Sequence, residues 1–178
     1  MAFARLLMRT LLALLILLAV IGLLLPSKAR VERSIDIDAA PAEVFAQVNN
    51  LRAFHAWSPW AALDPNTSYS FEGPEQGVGA RMLWHSTQQE SGNGSMQIVR
   101  SEPQREVEAT LDFGGEGNGV STFVLNPTES GQTRLLWRFE THFGWDLFGR
   151  YVGLMLDSMI GASYEKGLQT LKQRVENS

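Results

Sequence analysis

The chain reads as an α+β protein preceded by a single transmembrane helix, and three observations predict this. From Leu11 to Leu25 every residue is apolar or Gly, a run with no polar face for packing against a water-exposed domain. A strand pattern then leads through Pro41 into two short helical segments, followed by alternating segments separated by turn residues. From about Leu147 to Val175 the spacing becomes helical. Consecutive strands joined by short Gly-rich turns make an antiparallel meander, and helices kept to its two ends make the class α+β.

The N-terminal element comes first. No charge lies between Arg9 and Lys28, and the uncharged stretch Thr10–Ser27 is 18 residues long, at the lower edge of a membrane span. Leu6, Leu7 and Met8 lengthen it, because Arg9 can snorkel toward the headgroups. The expected division is therefore 1–30 as anchor and short linker, with membrane contact through 6–25, and 31–178 as the domain. A cleavable signal peptide is the alternative, since Ser27 and Ala29 have the small-residue spacing for cleavage before Arg30. Both readings place the domain on the periplasmic or extracytoplasmic side. Arg5 and Arg9 on one flank against Lys28, Arg30 and Arg33 on the other leave the positive-inside rule undecided.

Of the 15 basic residues four precede position 31, whereas all 19 acidic residues follow it. The domain thus carries eight more acidic than basic residues, which argues against binding a phosphate backbone. No nucleic-acid partner is expected. Cysteine is absent, so disulfides and thiolate metal sites play no part in this fold.

In the domain, Val31, Ile35 and Ile37 alternate in a strand over 31–38. Pro41 suits the first position of a helix, where its missing N–H costs nothing, and Ala42, Phe45 and Val48 give that helix an apolar stripe. Asn49-Asn50 ends it, and Leu51–Ala56 forms a second short helix stopped by Ser58-Pro59. Tyr69 and Phe71 mark the next strand. Ala80, Met82, Trp84 and Ser86 share one strand face, opposite Arg81, Leu83 and His85. After a turn at Ser91–Gly94 come Met96 and Ile98, with Arg100 in step with them. Val107, Ala109, Leu111 and Phe113 oppose Glu106, Glu108, Thr110 and Asp112. Gly114–Gly119 lacks the following Lys-Ser/Thr of a phosphate loop and reads as a connection. Strand 120–126 leads to the last strand, where Leu135, Trp137, Phe139, Thr141 and Phe143 oppose Arg134, Leu136, Arg138, Glu140 and His142. In the closing helix Tyr151, Met155, Met159, Leu168, Leu171 and Val175 are spaced for a buried face.

The opening VERSIDIDAAPAEVFAQVNNLRAFHAWSPW of Val31–Trp60, with its Trp57-Ser58-Pro59-Trp60, and the closing YEKGLQTLK of Tyr164–Lys172 carry a family likeness. The domain resembles the START-like, or Bet v 1-like (SRPBCC), superfamily, in particular its bacterial polyketide cyclase/dehydrase and lipid-transport branch. That resemblance covers 31–178 and implies the helix-grip fold, a curved antiparallel sheet wrapped around a long C-terminal helix to enclose an apolar cavity.

Strand phase and helical spacing bring Trp57, Trp60, Met82, Trp84, Met96, Trp137, Phe139, Met155 and Met159 together between sheet and C-terminal helix. These are the expected contacts of a hydrophobic ligand, since Met adapts to varied shapes. The competing use of the same residues is plain core packing. His55 on the second short helix and Arg100 are the candidate polar contacts; His85 and His142 share the polar strand phase and should face water. Gly149, Gly153, Gly161 and Gly167 in one helix suggest kinks or room left beside the sheet. General acid/base chemistry needs a titrating group within reach of the substrate, and the strand phase supplies none, so no catalytic residue, metal or cofactor is expected. The expected function is membrane-tethered binding of a hydrophobic small molecule, lipid or polyketide-like. A cyclase/dehydratase, as the resemblance implies, and an interaction domain whose cavity is filled by its own side chains are the alternatives.

Overall fold

The computed structural model describes residues 2–61, 66–86 and 92–177; Ser91, expected to open a turn, lies outside the described residues. A 23-residue helix, α1 (Ala2–Leu24), comes first and is long and apolar enough to cross a membrane. Strand β1 (Lys28–Ile37) begins three residues before the expected Val31. The extension arises because Lys28 pairs with His142, Ala29 with Thr141 and Arg30 with Glu140, with the Phe143 amide donating to the Ser27 carbonyl. No linker therefore separates Arg30 from the domain; only residues 25–27 lie between α1 and β1.

Helix α2 (Pro41–Val48) starts on Pro41 and buries Val44 and Val48. Helix α3 (Leu51–Trp57) is capped by Asn50, whose side chain accepts from the amides of Arg52 and Ala53, satisfying two of the donors a helix start leaves unpaired. These helices carry the chain to the opposite edge of the sheet. From there β2 (Ser68–Glu72), β3 (Arg81–His85), β4 (Asn93–Glu102), β5 (Glu106–Asp112), β6 (Asn118–Pro127) and β7 (Thr133–His142) meander back, and β7 pairs with β1. The seven-stranded sheet is antiparallel throughout, ordered β1-β7-β6-β5-β4-β3-β2. Residues 113–117 join β5 to β6 through one short 3-10 turn, and Asn118 and Gly119, expected in the connection, already pair with β5.

Cross-strand pairs share a face, and the pairing aligns Val31, Phe139, Ser121 and Ala109 on one side of four adjacent strands. This inner face holds the core. The expected phase fails at one point. Ile98 pairs with Ala109 but Arg100 pairs with Glu108, so Val99 forms a bulge. A single inserted residue sends the next side chain to the other face, and Arg100 points outward, bound to Glu102 and to Glu106 at 3.1 Å. It does not accompany Met96 and Ile98.

Helix α4 (Leu147–Glu176) is one continuous 30-residue helix, capped by the Asp146 carboxylate on the Gly149 amide. Its glycines let neighbours approach. A Cβ at Gly167 would stand 2.9 Å from Pro59 and 3.1 Å from the Trp137 ring, and one at Gly161 would overlap the Arg33 guanidinium. The buried face runs through Gly149, Gly161, Tyr164, Gly167, Leu168, Leu171 and Val175. Met155 and Met159, expected on it, are 60% and 58% exposed, and Tyr151 is half-buried. The first half of α4 is apolar on several sides, so helical spacing alone could not select the face that meets the sheet.

Candidate functional site

Trp137 is the centre of the interior. Tyr164 of α4 stacks on it at 4.0 Å between ring centroids, and Phe123 of β6 stacks at 5.3 Å. Trp57, Phe54 and Trp60 meet it edge-on at 5.3, 5.9 and 5.6 Å, the geometry the ring quadrupole favours. Both buried indoles satisfy their donors internally: Trp137 Nε1 donates to Ser121 Oγ at 2.8 Å, and Trp57 Nε1 to the Gln47 carbonyl at 3.2 Å. Burial pushes the Tyr164 phenol well above its usual pKa, so its hydroxyl stays neutral. Between α3, the sheet and the second half of α4, space is therefore occupied by the protein's own aromatic side chains. Phe54, Phe123 and Tyr164 were not singled out by the sequence pattern, although Phe123 shares the inward phase of Leu125 and could have been found by it.

Along the sheet toward the first half of α4 the character changes. Trp84 is half-buried and lies 6.0 Å from Phe113, which lies 6.2 Å from Phe139. Met82 and Met96 pair below this row and are buried. Two glycines make the row possible: a side chain at Gly94 would overlap the Trp84 ring, and one at Gly119 the Phe139 ring. Each ring thus lies down over a cross-strand glycine instead of standing off the sheet. From α4 only the half-buried Leu156 and Ile160 join the core here. Of the nine expected apolar contacts, the structure brings seven onto the inner side and leaves Met155 and Met159 outside it.

His55 stands at the rim with its ring centred 4.1 Å from Tyr69 and 6.2 Å from Phe71, and burial pulls its pKa below the ordinary histidine value. His85 and His142 are exposed, as their phase requires. Arg33 reaches α4 from the inner face of β1, bound to Asp157 at 2.8 Å and Glu165 at 2.7 Å. Among the described residues no Asp, Glu, His, Lys or Arg is buried. The inner face offers aromatic and thioether surface, with Arg33 of β1 and His55 of α3 as ionisable groups beside it.

Two surface grooves are present as well. One of about 310 Å³ lies between Leu51, Phe71 and Arg81, and one of about 580 Å³ along Ser95, Thr110, Asp112 and His142. Neither is lined by α4.

Residues 28–176 match the family model described as polyketide cyclase / dehydrase and lipid transport. No curated protein matches the chain. Among solved structures, a solution structure of a Thermobifida fusca protein is similar with a TM-score of 0.62 at 17% identity, over 83% of this chain and 93% of that one. A putative uncharacterized protein from Rhizobium leguminosarum gives a TM-score of 0.58 at 13% identity, over 85% and 96%. The crystal structure of Ara h 8.0201 gives 0.55 at 11% identity, over 85% and 99%. At such identities the likeness is one of fold, and the fold is the START-like, Bet v 1-like helix grip.

Proposed function

Because this chain belongs to the polyketide cyclase/dehydrase and lipid-transport family, we propose that it binds a hydrophobic small molecule, lipid or polyketide-like, while α1 tethers it to a membrane. The observation that carries the reading is the division of α4. Its second half is fixed by buried Tyr164, Leu168, Leu171 and Val175, each contributing roughly 1.5–3 kcal/mol by burial. Its first half buries only Gly149 before Gly161, and only the half-buried Leu156 and Ile160 reach the core from it, which leaves room beside the Trp84–Phe113–Phe139 row on this reading. The ligand would sit on that row, with Trp60, Met82 and Met96 around it and the Trp57–Trp137 cluster as its floor. Desolvation of apolar surface drives binding of this kind, and His55 is placed for a polar contact at the rim.

An uncleaved anchor is favoured by β1. Cleavage before Arg30 would remove Lys28 and Ala29, which pair with His142 and Thr141. The domain is assigned to the periplasmic or extracytoplasmic side, because a signal anchor exports the chain on its C-terminal side. Alkaline phosphatase fused after residue 178 should be active if so; activity only of a cytoplasmic reporter reverses the assignment.

For ligand binding, a fragment beginning at Pro26 is exposed to an environment-sensitive fluorescent fatty acid. Saturable binding with a shift in tryptophan emission is expected. No saturable binding to a folded fragment, together with no co-purifying small molecule in native mass spectrometry, would favour an interaction domain filled by Trp137, Tyr164 and their neighbours.

A further inference from the structure

We propose that the start of α4, with the turn before it, is a membrane-docking surface that lies in the headgroup region of the bilayer holding α1. The inference rests on the anchor reading above and adds an orientation to it. Apart from α1, the large apolar side chains exposed among the described residues are Val78, Val99, Trp145, Phe148, Leu154, Met155 and Met159. Five of these seven fall between positions 145 and 159. Phe148, Val152, Met155 and Met159 follow one another at spacings of four, three and four, which places them on a single stripe of the helix. The only charged residues of this half, Arg150 and Asp157, are both engaged elsewhere, Asp157 by Arg33 and Arg150 by backbone carbonyls.

Those carbonyls identify the occupant. Arg150 Nη1 donates to the carbonyls of Gly22, Leu23 and Leu25 at 3.3, 3.0 and 3.2 Å, and the Tyr151 hydroxyl donates to the Leu18 carbonyl at 2.7 Å. Gly22 is buried here, where a Cβ would stand 3.2 Å from Tyr151 and 3.3 Å from Leu147. Leu18 lies seven residues before Leu25, or about 10 Å along a helix. A helix that inserts up to Leu25 therefore carries the start of α4 down to the level of the lipid headgroups. Trp145 is 85% and Phe148 79% exposed at that level, where aromatic side chains favour the interface. Lys28 and Arg30, also exposed beside the end of α1, suit the phosphate layer.

The native chain has no cysteine, so single-cysteine variants accept an environment-sensitive fluorophore without background. Leu14→Cys reports on the anchor, Phe148→Cys and Met155→Cys on the docking surface, and His85→Cys on the far side of the sheet. The full-length chain is reconstituted into phosphatidylcholine/phosphatidylglycerol vesicles with lipids spin-labelled near the headgroup or deep in the acyl chain. Labels at Phe148 and Met155 should be blue-shifted and quenched by the headgroup-level nitroxide, the label at Leu14 by the deep one, and that at His85 by neither. Deep quenching at Leu14 with Phe148 and Met155 resembling His85 would overturn the docking and leave the anchor standing. Loss of quenching at Leu14 as well would overturn the anchor reading itself. A blue shift at Phe148 and Met155 without quenching would mean that a second copy or another protein covers the face, and would also overturn the proposal. Two docking positions keep the test readable if one variant folds poorly.

Discussion

The guanidinium of Arg33 occupies the place where a side chain at Gly161 would be. This contact joins the first inward strand residue with a charge to the one stretch of α4 that carries two carboxylates a suitable distance apart, Asp157 and Glu165, and Arg33 binds both. A similar absence of a side chain at Gly167 admits Pro59 and the Trp137 ring. The two glycines look alike in sequence, yet one is opposed by the end of a flexible chain and the other by rigid rings.

That difference predicts opposite outcomes for one substitution. In Gly161→Ala the helix gains about 0.8–1 kcal/mol of propensity. Arg33 swings away from carboxylates that are 59% and 62% exposed, where solvent screening leaves little to lose. Stability should stay within about 1 kcal/mol of the parent. In Gly167→Ala neither Pro59 nor Trp137 can yield, and overpacking should cost about 1–3 kcal/mol. Urea unfolding of the two variants side by side checks the contrast.

Acid should destabilise the domain in two stages. His55 is held toward its neutral form by burial, so its contribution is complete above the ordinary histidine value of about 6.5 and is eroded as pH falls from there toward its lower native pKa. The carboxyls of Glu32, Asp36 and Asp157 lie below their usual range because they accept hydrogen bonds from Arg30, Arg134 and Arg33 respectively. Their contribution is complete above about pH 4 and is lost as pH falls through their lower native values. Thermal melts across this range should show His55→Phe removing the first stage only and Arg33→Gln reducing the second only.

Ligand binding should respond to the two sides of α4 differently. Leu156→Trp adds bulk on the side that packs with the core and should weaken fatty-acid probe affinity by about tenfold, or 1.4 kcal/mol. Met159→Trp adds the same kind of bulk on an exposed position and should leave affinity in the Pro26–Ser178 fragment unchanged. Fluorescence titration of both variants tests this; equal losses would place the ligand on the outer stripe instead.

The Pro26–Ser178 fragment should fold and remain folded to a higher temperature than one starting at Val31. The shorter fragment lacks Lys28, Ala29 and Arg30, three rungs of the β1–β7 ladder. Circular dichroism melts of the two fragments provide the measurement, with equal midpoints counting against a stabilising role for those rungs.

The strand segments were legible because their inner faces alternate cleanly, as Val107, Ala109 and Leu111 do before Phe113. The helix start at Pro41 was legible because its missing N–H suits a first helical position, whereas Asn50, read as the end of the first helix, also caps the second. The bulge at Val99 was not: no glycine or proline marks it, and the partner strand decides it through Ala109 and Glu108. The face of α4 was also hidden. Tyr151, Met155 and Met159 form a stripe as good as any other, and the sheet instead approaches along Gly153, Gly161 and Gly167. Glycines seen as gaps in a helix were the record of its contact side. For the same reason two of the nine expected apolar contacts were placed on the wrong side of the helix, and the Tyr164–Trp137 stack escaped notice.

The shortness of the segment between α1 and β1 sets how far the domain can stand from α1. Three residues, fully extended, span about 10 Å, and the Arg150 and Tyr151 bonds shorten even that freedom. On the proposed reading, with α1 in a bilayer, such a domain would not ferry a ligand between two membranes: it would take it up and release it at the surface where the anchor stands. On that reading, any onward carrier would come to it.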